Sequence, residues 1–276
     1  MKKLFEFYIY NHIHVGLSAV SLYMLYSLLT GQIPDSHYAV FLFSATVSYY
    51  TFLRLIHRNT LRFPLAKWYH DHYRLSLTVW ILSTLTGFYL FSQFGRPLMT
   101  RLIIVGIPAI LYNLRANGKK IYSLRKIGLV KIFLISFVWA AMVVWVPFST
   151  KISSFTLLAI LTWHAFFFVL LWTLPFDIRD LALDQTSLKT LPQIFKEKIK
   201  YIALLIWGVF SGLNVFLLQF EIETKLVWAF ILAASVLLWM TFRSEKYRDN
   251  YFFTAFWAES VPIFTLLLVW VVQYLN

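Results

Sequence analysis

Three aspartates that lie close together in the sequence are the residues best suited to chemistry. Asp177, Asp180 and Asp184 follow a long apolar run. On a helix their side chains fall within an arc of about 60°, because successive residues are turned by about 100°. Three neighbouring carboxylates repel one another unless positive charge neutralises them. Mg²⁺, a hard cation that prefers oxygen ligands and often bridges to substrate phosphates, would provide that charge.

A solvated helix end is the alternative interpretation of these aspartates. They would then pair with lysines that follow in the chain, such as Lys189, Lys196 or Lys198, and would have no special role. On the same helical projection, Arg179 lies about 200° from Asp177 and is predicted to point away from the carboxylates. A position at the mouth of a membrane bundle favours a binding site over a solvated end.

One further carboxylate and one amide deserve consideration as site residues. Glu259 lies inside the last apolar run, about 12 Å from Tyr251 if the segment is helical. An ionisable residue within a membrane span suggests a functional site, and Glu259 is predicted to position an acceptor or take its proton. A protonated, hydrogen-bonded Glu259 is the alternative. Asn11 opens the first run and is predicted either to line a cavity or to cap an interfacial helix end.

The composition excludes a soluble protein and any site that requires cysteine. Of 276 residues, 60% are hydrophobic and 13% are charged, and the mean hydropathy is +0.69, too apolar for a soluble domain. The chain has no cysteine, so disulfides, thiolate nucleophiles and cysteine metal sites are excluded. The formal charge is +13, but its basic residues are spread over loops rather than gathered in a nucleic-acid-binding arm.

Apolar runs long enough to cross about 30 Å of hydrocarbon predict about nine transmembrane helices. These runs cover residues 12–31, 38–57, 75–94, 99–113, 128–147, 154–174, 201–220, 227–242 and 251–275. The predicted fold is therefore an all-α polytopic membrane bundle. We expect a single membrane domain of residues 1–276, with two halves that meet near residue 127.

The distribution of basic residues predicts the orientation of this bundle. With nine spans, 21 of the 25 lysines and arginines fall on the side of the amino terminus and four on the other side. Because cytoplasmic loops carry the excess of positive charge, the amino terminus is predicted to be cytoplasmic and the carboxyl terminus to lie opposite. The expected location is the cytoplasmic membrane, with anionic headgroups as partners of most of these cations.

The aspartate segment resembles the second aspartate-rich motif of the UbiA superfamily of intramembrane prenyltransferases. The matching sequence is Asp-Ile-Arg-Asp-Leu-Ala-Leu-Asp at residues 177–184, followed by Lys-Thr-Leu-Pro at residues 189–192. Residues 126–140 are similar to the fifth-helix pattern of the family. Nine spans and a cytoplasmic amino terminus also agree with the family architecture. Only the aspartate segment is specific as a motif.

The resemblance implies a helical bundle around a central cavity and an enzyme that transfers isoprenoids. Its substrates would be a prenyl diphosphate and a lipophilic acceptor. Two aspartate motifs would hold Mg²⁺ against the diphosphate, with Asp177, Asp180 and Asp184 supplying the second motif. An allylic carbocation would then alkylate the acceptor in an apolar, aromatic cavity.

The first aspartate motif of the family has no counterpart in this sequence. It is expected at the end of the second span, but residues 36–70 contain no acidic residue. Arg54, His57 and Arg58 lie there instead, at helical spacing that places them on one face. We hypothesise that these cations contact the diphosphate, because arginine matches phosphate geometry bidentately. Anchoring at the cytoplasmic surface is the alternative.

Three more cations are candidates for the diphosphate site. Arg125 and Lys131 flank the start of the fifth span, and Lys189 follows the aspartate segment. Lys131 lies within an apolar run, where a charge is costly without a partner. Snorkelling to the interface is the alternative role for Lys131.

Two functions of different kinds are therefore expected from the sequence. The first is prenyl transfer to a lipophilic acceptor. The second is non-catalytic binding of an isoprenoid by a protein that has lost the first metal motif. A transporter is less consistent with the sequence, because neither an inverted repeat nor paired broken helices are apparent.

Overall fold

The computed structural model describes residues 2–56, 65–113, 128–181, 189–220 and 222–274. Every regular element in these residues is helical, which confirms the predicted all-α fold. The α-helices are α1 (Lys2–Tyr10), α2 (Ile13–Leu29), α3 (Ser36–Ile56), α4 (Leu65–Asp71), α5 (Tyr73–Gln93), α6 (Arg96–Asn113), α7 (Gly128–Ala140), α8 (Val146–Phe148), α9 (Phe155–Asp180), α10 (Leu191–Phe195), α11 (Ile199–Leu217), α12 (Thr224–Arg243) and α13 (Val261–Tyr274).

The described helices support the predicted polytopic membrane bundle, for which about nine spans were expected. Within the described residues, seven helices are long and apolar enough to cross a membrane. The bent pair α1 and α2 brings this number to eight if it forms one span. The remaining predicted span, residues 99–113, is helical as part of α6 but is not among these helices. Arg96 and Arg101 lower its apolar character.

The core lies between α2 and α9, with α3, α7, α11, α12 and α13 packed around them. Large aromatic side chains fill the centre, and Tyr26, Phe168, Phe210 and Phe230 are fully buried. The Tyr26 hydroxyl lies 2.7 Å from Nδ1 of His164, so two polar groups in this apolar core satisfy each other. Outward-facing side chains of α5 and α6 are apolar and exposed, as expected for a surface in contact with lipid.

Two π-helical turns interrupt the bundle and free backbone carbonyls for side chains of neighbouring helices. The turns are Ala141–Trp145, after α7, and Phe253–Ala258, before α13. In the first turn, the carbonyl of Met142 accepts a hydrogen bond of 2.6 Å from Tyr38. In the second, the carbonyl of Ala258 accepts one of 2.8 Å from Trp172. Such turns are frequent at functional sites because they alter the direction of nearby side chains.

The amino-terminal helices α1 and α2 meet at a bend of 59°. His12 at the bend adopts the left-handed conformation, with φ of 60°, which is uncommon outside glycine, asparagine and aspartate. Its ring stacks on Tyr50 of α3, with ring centroids 5.6 Å apart. The bend therefore directs polar residues of the amino terminus toward the end of α3 that carries Arg54.

Candidate functional site

Charged side chains from three helices meet at one end of the bundle. Arg54 lies in the last turn of α3, Lys131 in the first turns of α7, and Asp177, Arg179 and Asp180 in the last turns of α9. We call these five residues the cation–aspartate cluster. All but Arg179 were predicted as site residues, and the structure brings those four together. Arg54 and Lys131 both lie within electrostatic range of the Asp180 carboxylate.

The first ion pair of the cluster joins α7 to α9. Nζ of Lys131 lies 2.8 Å from Oδ1 of Asp177, and the side chain of Asp177 is only 4% exposed. A buried charge is costly unless an opposite charge compensates it, so each member of this pair requires the other. Lys131 therefore points into the bundle rather than snorkelling to the interface.

The second ion pair lies within α9, and its arginine also contacts the π-helical turn. Nε and Nη2 of Arg179 donate to the two carboxylate oxygens of Asp180, at 2.8 and 3.3 Å. Nη1 donates to the hydroxyl of Thr254 at 2.5 Å, and the guanidinium lies over the ring of Tyr251, 5.5 Å from its centroid. The prediction that Arg179 points away from the carboxylates is wrong. A long side chain turns back to its neighbour, which a projection of helical directions does not reveal.

Arg54 differs from the other two cations in its partners. It is half-buried, and it makes no ion pair with any residue in the described ranges. Its charge acts on Asp180, Tyr50 and His12. A guanidinium that faces a bundle interior and pairs with no carboxylate in the described part of the chain is suited to bind an anionic ligand.

A carboxylate lies deeper in the bundle than the cluster. Glu259 follows the π-helical turn, five residues beyond Thr254, and faces inward because its charge acts on Arg179 of α9 and Tyr50 of α3. Its side chain is partly accessible, and no described residue donates a hydrogen bond to its carboxylate. Glu259 is therefore at the interior position predicted from the sequence.

Asn11 lies at the bend between α1 and α2, and it is fully buried. The side-chain Nδ2 of Asn11 donates to the backbone carbonyl of Phe7 at 3.1 Å. The backbone carbonyl of Asn11 accepts a hydrogen bond of 3.2 Å from the hydroxyl of Thr51. Its Oδ1 is buried without a hydrogen-bond partner in the described part of the chain. Asn11 therefore joins the bend to α3 near the cluster, and its side-chain amide binds a carbonyl in the last turn of α1.

Lys189 is the one remaining predicted site residue among the described residues, and it is not brought to the cluster. Lys189 is exposed, and no contact among the described residues links it to the cluster. The following residue, Thr190, forms a capping box with Gln193 at the start of α10. Arg58, Arg125 and Asp184 lie outside the described residues, as does His57.

Aromatic residues near the cluster were not identified from the sequence. Tyr50 lies one helical turn before Arg54, and its side chain is close to that of Trp139 of α7. Trp139 packs edge to face against Trp172 of α9, with centroids 5.4 Å apart. The spacing of Tyr50 from Arg54 was the only available signal, since aromatic side chains are abundant throughout this chain.

Both aspartates of the cluster have a cation of the chain as a partner. Asp177 and Asp180 are each engaged by a cation of the chain, and no group of three His, Cys, Asp or Glu converges within the residues searched. Mg²⁺ binding usually relies on carboxylate oxygens that face the metal and its phosphate ligand. The described donors thus differ from the arrangement that the family resemblance implies.

Comparisons with family models, with curated proteins and with solved structures found no match for this chain.

Proposed function

We propose that this protein is a UbiA-like intramembrane prenyltransferase, which moves an isoprenoid from its diphosphate to a lipophilic acceptor. The observation that carries the proposal is the cation–aspartate cluster at one end of an apolar helical bundle. Positive groups within a membrane bundle are costly, and they are expected where an anionic ligand must be held. A prenyl diphosphate combines an anionic head with an apolar tail that fits such a bundle.

In this proposal the diphosphate binds between Arg54, Lys131 and Arg179. Arg54 contributes a guanidinium without an ion-pair partner among the described residues, while Asp177 and Asp180 orient the other two cations. During transfer, the bond between C1 of the isoprenoid and the diphosphate oxygen breaks, and the electron pair leaves with the diphosphate. The three cations stabilise the charge that develops on the leaving group, because they are already oriented toward it.

The deeper part of the site would hold the carbocation and the acceptor. The rings of Tyr50 and Trp139 offer π faces, which attract positive charge. The acceptor supplies an electron pair to C1 and loses a proton, and Glu259 is the group in position to receive it. Because membrane proteins carry more basic residues on the cytoplasmic side, we place the cluster at the cytoplasmic face and expect the protein in the cytoplasmic membrane.

Non-catalytic isoprenoid binding is the second candidate function. It is favoured by the absence of acidic residues from residues 36–70, where the family carries its first metal motif. Such a protein would retain the cluster and the apolar interior but would leave the diphosphate intact.

Diphosphate release separates these two functions. The purified protein in liposomes would be incubated with [1-³H]farnesyl or [1-³H]geranylgeranyl diphosphate and an extract of membrane lipids. We expect release of inorganic diphosphate together with a labelled lipid product. A protein that binds the labelled diphosphate but leaves it intact under all these conditions would contradict the transferase and support the second function.

A further inference from the structure

We infer that the cluster holds a diphosphate directly by its cations, without a metal ion that bridges the diphosphate to Asp177 and Asp180. This inference rests on the proposed function and specifies how that site recognises its substrate. It differs from the magnesium arrangement that the resemblance to prenyltransferases implies.

The charge balance of the cluster supports direct anion binding. Three cations, Arg54, Lys131 and Arg179, face the two carboxylates of the cluster, and the charge of Glu259 also acts on Arg179. Positive and negative charges are therefore equal in number among these described residues before any metal is added. A carboxylate site for Mg²⁺ is expected to be negative, because the ion brings the positive charge that the phosphate needs. A site whose cations already offset its carboxylates lacks that excess of negative charge.

The geometry of the ion pairs assigns the aspartates a positioning role. Asp177 holds Lys131 at 2.8 Å, and Asp180 engages two nitrogens of Arg179 while Thr254 binds the third. Both oxygens of Asp180 and one oxygen of Asp177 therefore fix a cation at the site. Fixed cations lose little conformational freedom when the ligand binds, which strengthens the interaction.

The cation Arg54 on α3 also favours direct binding of the diphosphate. Arg54 lies in the region where the first aspartate motif is expected, so a cation stands where metal-binding acids would be. Its planar guanidinium can donate two parallel hydrogen bonds to phosphate oxygens, whereas the ammonium of Lys131 acts as a compact point charge. The two groups together can contact both phosphates of a diphosphate.

The test is the metal dependence of binding by the detergent-purified, full-length protein. Binding of radiolabelled farnesyl diphosphate would be measured after chelation with EDTA and again with excess MgCl₂. We expect dissociation constants that agree within about threefold, since direct contacts between cations and phosphate do not need the metal. Inorganic diphosphate should compete in EDTA, which shows that the head group is recognised.

A conservative variant provides a second readout. Asp180→Asn keeps the size of the side chain and one oxygen acceptor for Arg179 but weakens any metal site. Its affinity for farnesyl diphosphate in EDTA should fall, because Arg179 loses the charge that positions it, and added MgCl₂ should have no larger effect than in the wild type. Binding that disappears in EDTA and returns with MgCl₂, in the wild type but not in Asp180→Asn, would overturn the inference while supporting the proposed substrate. No binding under either condition would instead contradict the proposed function itself.

Discussion

Replacing Arg54 with glutamine is expected to weaken the binding of farnesyl diphosphate by about ten- to hundredfold, the loss typical of a hydrogen-bonded charge. Arg54 faces the cluster and has no ion-pair partner among the described residues. Replacing Arg54 therefore breaks no ion pair among the described residues, and the fold should persist. The effect should be equal in EDTA and in MgCl₂, because the lost contact is made by the protein itself.

The matched control for this variant is Arg74→Gln. Arg74 is an exposed cation at the start of α5, on the side of the membrane predicted to carry the cluster. If Arg74→Gln weakens the binding of farnesyl diphosphate as much as Arg54→Gln does, the loss of affinity reflects the overall surface charge and not a contact made by Arg54. Equal affinity of wild type and Arg54→Gln would remove Arg54 from the site.

Replacing Glu259 with glutamine is expected to lower the rate of prenyl transfer by at least about a hundredfold, the usual contribution of a proton acceptor. Glutamine keeps the shape of the side chain but cannot accept the proton of the acceptor. Because Glu259 lies deeper than the cluster, the dissociation constant for farnesyl diphosphate should change by less than about threefold. Labelled lipid product and bound diphosphate would be measured on the same preparations.

Glu245→Gln is the control for this second prediction. Glu245 is an exposed carboxylate that follows α12, and it has no place in the proposed site. Normal transfer by Glu259→Gln would show that another group receives the proton. Loss of both transfer and binding would show that Glu259 supports the structure of the site instead of the chemical step.

The parts of the fold that follow from local sequence were predictable. Apolar runs of about 20 residues must form helices in a membrane, because only internal hydrogen bonds satisfy the backbone there. The helices α3, α5 and α12 accordingly begin and end within about three residues of the predicted runs, whereas α9 continues six residues beyond its predicted end. The bend at His12 and the π-helical turn Phe253–Ala258 were not predictable, because they depend on packing between helices that are distant in sequence.

The candidate site was predictable in its members but not in its contacts. Asp177 and Asp180 were identified by their spacing on one helix face, and Arg54 by its spacing from other cations. Lys131 was identified because a charge within an apolar run requires a partner. The pairing of these residues was not predictable, since it depends on which long side chain reaches which carboxylate. Asp180, an expected metal ligand, pairs with the neighbouring Arg179.

Photochemical labelling tests the location of the substrate most directly. A farnesyl diphosphate analogue with a diazirine at the end of its prenyl chain would be irradiated with the protein in liposomes, and the adducts would be mapped by mass spectrometry. If the prenyl diphosphate binds inside the bundle, we expect adducts on interior residues of α3, α7 and the segment that contains Glu259. Excess farnesyl diphosphate should suppress all of these adducts. Adducts confined to the outer surfaces of α5 and α6, or adducts that excess farnesyl diphosphate does not suppress, would contradict a prenyl diphosphate site inside the bundle.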